Sequence, residues 1–112
     1  MAIDRLKTSI WVQAQIRICD LSAIPIAVVK RGDPDAGTVI LRIDRGDIGC
    51  EILSQIRDMD GTMKWMRASG PGPVSEEEAA PLIERQTKRD PDLWVIEIED
   101  PHNRYQLDAP II

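Results

Sequence analysis

The residues best suited to chemistry in this chain are carboxylates. Glu97 and Glu99 stand two apart in residues 93–99, where apolar positions alternate with others. In a strand that spacing sends both side chains to one face. Asp92 and Asp100 flank the run, and Asp33 and Asp35 lie in a turn-rich stretch upstream. Paired carboxylates on a rigid strand are the oxygen donors that Mg²⁺ and other hard cations take. A structural account uses the same residues. Arg42, Arg57 and Arg67 fall in neighbouring β-rich runs, and cross-strand pairing with them makes Glu97 and Glu99 part of a solvated outer face. Exposed pairs of that kind contribute only about 0–1 kcal/mol. The structural account is the preferred one.

A stricter metal reading names a reaction. Pro91-Asp92 followed by Glu97-Ile98-Glu99 echoes the Pro-Asp and Asp/Glu-x-Lys pattern of metal-dependent nucleases. Asp92, Glu97 and Glu99 are then the metal ligands and catalytic residues of a cation-dependent hydrolase. The pattern wants lysine where this chain has Glu99. A glutamate cannot neutralise the negative charge that develops in such a reaction. Other chemistries are poorly supplied. His102 is the only histidine, and Cys19 and Cys50 form no Cys-x-x-Cys pair, so a zinc site lacks ligands. The two thiols read as small buried hydrophobes. Residues 32–37, Gly-Asp-Pro-Asp-Ala-Gly, lack the lysine and hydroxyl of a phosphate-binding loop. Gly70-Pro71-Gly72-Pro73 precedes a helix start, but Glu76, Glu77 and Glu78 crowd that terminus against any anion. No cofactor is expected.

Composition bounds the rest. The chain has 112 residues, 43% of them hydrophobic, enough for one real core and too few for two. Residues 1–112 are therefore expected to form a single domain. The net charge of -5 disfavours nucleic acid and anionic lipid as partners. Charged residues break the N-terminus before a signal core can form, and no apolar run approaches the about 20 residues that span a bilayer. A cytoplasmic, non-membrane protein is expected. With three Trp, one Tyr and no Phe, the core must be mainly aliphatic, with Trp11, Trp65 and Trp94 as its large fillers.

These side chains need elements to position them. Leu6, Ile10, Ala14, Ile18 and Leu21 recur at helical spacing and predict an amphipathic helix, capped by Asp4 and ended before Pro25. Residues 26–31 and 38–44 are β-rich runs around the residue 32–37 turn cluster, and read as a hairpin whose loop is an interaction tip. Residues 50–57 and 62–68 flank Asp58-Met59-Asp60-Gly61, a second hairpin. Ser75 with Glu78 reads as a capping box, and the helix either opens at Glu76 and bends at Pro81, the preferred reading, or begins nearer Ala80 with Pro81 in its first turn. Asp90-Pro91-Asp92 ends it, residues 93–99 form a strand, and residues 104–107 are a candidate last strand. The expected fold is α+β, a mostly antiparallel sheet of about five strands with two helices, in the order α-β-β-β-β-α-β. Both helices are expected on one face, with the other face partly solvated.

Several phrases taken together carry a resemblance. They are Gly32-Asp33-Pro34-Asp35-Ala36-Gly37; Arg57-Asp58 with Gly61; Trp65-Met66-Arg67-Ala68; Arg85-Gln86; and the run from Arg89 through Asp92-Leu93-Trp94 to Asp100. Over nearly its whole length the chain resembles a family of small alphaproteobacterial proteins catalogued as domain of unknown function 1491. The resemblance implies a bacterial cytoplasmic protein of one domain, and no activity. The leading expectation is thus a non-enzymatic interaction or regulatory module that binds a protein partner or a second copy of itself. Its candidate surface joins Asp33 and Asp35 to Glu97 and Glu99. The rival readings are the cation-dependent hydrolase of Asp92, Glu97 and Glu99, and a small-metabolite binding protein.

Overall fold

In a computed structural model, which describes residues 6–57 and 59–112, two helices and a five-stranded sheet follow one another in the expected order. Helix α1 is Thr8–Leu21, then come strands β1 (Ile26–Lys30), β2 (Val39–Asp44), β3 (Cys50–Arg57) and β4 (Met63–Arg67). Helix α2 is Glu76–Arg89 and strand β5 is Trp94–Glu99. The expected cap Asp4 and the turn residue Asp58 lie outside the described residues.

The sheet order is β1-β5-β2-β3-β4. The β3–β4 hairpin forms as read, with Gln55 opposite Trp65. The expected hairpin of β1 and β2 does not. β5 lies between them, antiparallel to β1 and parallel to β2, with Ile96 facing both Val28 and Leu41. The turn residues 32–37 reverse the chain, but around the start of β5 rather than into a neighbouring strand. A Cβ on Gly32 or Gly37 would collide with the Asp92 carbonyl oxygen and the Trp94 ring, so glycine is what lets the loop close on β5.

Alternation puts large apolar residues on both faces of the central strands, so both faces are covered. Val39, Leu41, Ile43, Leu53, Trp65, Trp94, Ile96 and Ile98 meet α1 on one side. Ile40, Cys50, Ile52 and Leu93 meet Ala79 of α2 on the other. The helices therefore sit on opposite faces, against the expectation of one. The three tryptophans are core residues, each 7% exposed or less. Residues 104–107 form no strand. Instead the chain after β5 crosses the α1 side as a strap, putting Tyr105, Leu107, Ala109 and Ile111 against that core. It also reaches the edge of β4, where the Trp65 amide donates to the Pro110 carbonyl and the Ile112 amide to the Trp65 carbonyl, both at 2.9 Å.

The largest departure is in α1. Its buried residues are Thr8, Trp11, Val12, Gln15 and Cys19. The apolar stripe from which the helix is inferred lies outside: Ile10 is 48% exposed, Ile18 50% and Leu21 78%. The buried face tolerates two polar residues because both are satisfied. The Thr8 hydroxyl donates to the Gly37 carbonyl at 2.7 Å, and Gln15 Oε1 accepts from the Tyr105 hydroxyl at 2.7 Å. α2 starts at Glu76 behind the Ser75–Glu78 capping box and runs through Pro81 to Arg89.

Candidate functional site

Strand β5 brings the candidate carboxylates onto the sheet and decides what they touch. Its parallel register places Glu97 beside Arg42 and Glu99 beside Asp44 on the face that α2 partly covers. Arg42 bridges two carboxylates, Glu97 at 3.0 Å and Glu76 at the start of α2. Its guanidinium side chain is only 13% exposed, whereas Glu97 is 44% exposed. Of the three expected arginine partners, Arg42 reaches Glu97, while Arg67 pairs with Glu51 at 2.6 Å and Arg57 donates to the Gly61 carbonyl. Asp92 sits in the turn before β5, at the opposite end of a strand that advances about 3.3 Å per residue. Asp92, Glu97 and Glu99 are thus spread along the strand. Among the described residues no group of three or more His, Cys, Asp or Glu is placed to hold a metal ion.

Asp33 and Asp35 belong to the start of β5, away from Glu97 and Glu99. The Asp33 carboxylate accepts from the Ala36 amide at 2.8 Å, its amide donates to the Asp92 carbonyl at 2.9 Å, and its carbonyl accepts from the Trp94 indole at 2.8 Å. The Pro34 and Asp35 carbonyls accept from the Ser9 and Thr8 amides, satisfying the first turn of α1 in place of a side-chain cap. Asp35 also meets Lys7 at 3.8 Å on the surface. Asp33 is thus tied to Asp92, and Glu97 to Arg42, in two separate places.

A polar cluster that alternation alone does not announce lies on the α1 side. Asp100, 2% exposed, accepts from the amides of Arg104 at 2.8 Å and Tyr105 at 2.9 Å, and from the Arg45 guanidinium at 3.0 Å. Burial pushes its carboxyl up, but those two amides and Arg45 outweigh burial and hold it below its ordinary value. Arg45 continues to Glu51 at 2.9 Å. Further along the strap, Asp108 accepts from the indoles of Trp11 at 2.7 Å and Trp65 at 3.3 Å, whose rings lie 5.9 Å apart. Burial raises the Tyr105 phenol and, likewise, the Cys19 and Cys50 thiols, leaving all three protonated at neutral pH. Asp100, Tyr105 and Asp108 bind the strap and the α1-side core together.

Among the described residues, two surfaces with apolar area facing solvent bear on function. One is the outer stripe of α1, formed by Ile10, Ile18 and Leu21. The other is a cleft of about 270 Å³ between α2 and β1, lined by Val29, Val95, Ala80 and Ile83 together with Arg42, Glu76, Glu84 and Glu97. Among the described residues no helix is long and apolar enough to cross a membrane.

The model of the family described as "Protein of unknown function (DUF1491)" matches residues 6–108. The fold is similar to the crystal structure of a DUF1491 family protein from Caulobacter crescentus CB15, at 34% identity and TM-score 0.83, covering 96% of this chain and 100% of that one. An NMR structure of a DUF1491 family protein from the same organism gives 34% identity and TM-score 0.81, with 96% of each chain covered. The solution structure of protein Atu0922 from A. tumefaciens is similar at 30% identity and TM-score 0.71, with 86% of each chain covered. No curated protein matches the chain.

Proposed function

Since the chain belongs to the DUF1491 family, whose function is unknown, we propose from its own geometry that it is a non-enzymatic interaction module that pairs with a second copy through the outer stripe of α1. The observation that carries this reading is the exposure of Ile10 at 48% and Ile18 at 50%, on a helix whose other side is fully seated in the core. Isolated exposed hydrophobes need no explanation, but a contiguous row of them on a rigid element marks a contact surface.

The stripe is self-complementary. Ile10, Ala14 and Ile18 are four apart, with the small residue at the centre. When two such helices cross on a twofold axis at Ala14, each Ile10 meets the other copy's Ile18, and the rows of i, i+4 side chains interdigitate at about -50°. The stripe is short, so the contact belongs with small, transient interfaces, those burying less than about 1,200 Å² in total.

Sedimentation velocity over a concentration series tests it. The expected result is a concentration-dependent rise from 12.6 kDa towards twice that mass. Ile10→Glu and Ile18→Glu should each hold the chain at the monomer mass. Because both side chains are half exposed, these variants should change folding stability by no more than about 0.5 kcal/mol. A wild-type chain that stays monomeric at millimolar concentration overturns the reading, as does a dimer that survives both substitutions.

A further inference from the structure

On the α2 side of the sheet the central strands are covered, but the β1 edge is open, with Ala27 and Val29 exposed. Five strands about 4.8 Å apart make a face roughly 19 Å across, and neighbouring helices pack about 8–10 Å apart. That face seats two helices side by side, and α2 takes one place, over β3. The other place lies over β5 and β1. Its open floor is Val29, beside Val95, which is already buried at 3% exposure, and its wall is Ala80 and Ile83 of α2. An irregularity in the β1–β5 register between Val28 and Lys30 accompanies Val29 at 60% exposure.

We infer that this vacant place is a docking groove for a basic amphipathic helix of a partner protein. Charge selects the occupant. Glu76, Glu84 and Glu97 edge the groove with side chains 69%, 67% and 44% exposed. The cation in its floor, Arg42, is 13% exposed and already engaged by Glu76 and Glu97. Lys88 pairs with Glu84 at 3.3 Å on the open surface of α2, a contact that an incoming lysine or arginine can exchange at little cost. Length fits as well. β1 has five residues, about 16 Å of strand, matched by about three helical turns. An added strand is the poorer occupant. The irregular register between Val28 and Lys30 interrupts the edge strand β1 that an added strand would have to pair with.

The groove lies on the opposite side of the sheet from α1, so it stands or falls independently of the self-association above. The probe is a fluorescein-labelled Leu/Lys peptide of about fourteen residues, with leucines at i, i+3 and i+4, against a twin in which every lysine is glutamate. Fluorescence anisotropy should show the basic peptide binding the full chain and the acidic twin failing to bind. Val29→Arg, which removes floor and adds repulsion, should weaken binding by about tenfold or more, and Glu84→Lys by several-fold. Ile18→Glu should bind like wild type. Both groove variants alter exposed side chains, and an unchanged thermal midpoint checks that they fold. Equal binding of the two peptides overturns the proposal. So does binding that survives Val29→Arg, or binding lost in Ile18→Glu, which would place the peptide on α1.

Discussion

Asp100 joins three segments with one carboxylate: the end of β5, the arm carrying Arg45, and the strap beginning at Arg104. A buried charge held this way is stable only with all its donors, and removing the charge leaves Arg45 only the Asp100 backbone carbonyl, at 2.9 Å, on that side. Asp100→Asn is expected to cost about 3–5 kcal/mol, measured by urea unfolding at pH 7. The pH dependence follows from the lowered pKa of the folded state. As pH falls below about 4, the unfolded chain takes up this proton before the folded one does, so stability declines. The decline ends once pH has dropped through the lower, folded value. Asp100→Asn should therefore flatten the acid limb of the stability curve below about pH 4, and an unchanged limb would show that other carboxylates set it. In the sequence Asp100 reads only as one more member of an acidic run. The alternation of Trp94, Ile96 and Ile98 carries position 100 to the inner face, but nothing in it shows that a carboxylate there anchors two amides of the following turn. Glu97 was more legible, because its two-residue spacing from Glu99 fixes a shared face and makes an arginine on the next strand its natural neighbour.

At the level of elements, capping and turn chemistry were legible and burial direction was not. Ser75 and Glu78 announce the start of α2, and the β3–β4 hairpin follows from its Asp-Gly turn and alternating flanks. For α1 the apolar spacing finds the helix but chooses the wrong face. Thr8 and Gln15 look polar in isolation, yet each makes its hydrogen bond inside the fold, to Gly37 and Tyr105, residues remote in sequence. Residues 32–37 show that the chain turns, but not that β5 will enter between the strands they join. α2 carries a local conflict that can be measured. Pro81 lies five residues past Glu76 inside a continuous helix, where it withholds a backbone donor from the Glu77 carbonyl. Both residues lie on the solvent-exposed side of the helix. Pro81→Ala should restore the bond and raise unfolding stability by about 1–2 kcal/mol, less than the full helix penalty because proline also restricts the unfolded chain. A thermal midpoint that falls would show instead that α2 depends on the break.

Across the whole molecule, chain order and spatial order disagree in a way that governs assembly. β5 is the last strand made, yet it is the one that joins β1 to the rest of the sheet. Ile26 pairs with Ile98 and Val39 with Trp94, contacts between distant parts of the chain, so much of the ordering entropy is lost before the pairing that offsets it can form. The strap then follows β5 and completes the α1 side, closing over Trp11 and Trp65 through Asp108. Until residues 94–112 arrive, β1 has no strand beside it, β2 lacks one neighbour, and the two indoles lack their carboxylate. A chain ending at residue 93 should therefore retain helical far-ultraviolet dichroism but lose the near-ultraviolet signal of its remaining tryptophans and unfold without a cooperative transition. Restoring residues 94–100 alone should bring back the sheet and a cooperative transition, with a lower midpoint and Trp11 and Trp65 emission shifted to the red by water. If the chain ending at 93 instead unfolds cooperatively, β2, β3, β4 and α2 make a sufficient core by themselves, and β5 with the strap is an addition to a fold that stands without it.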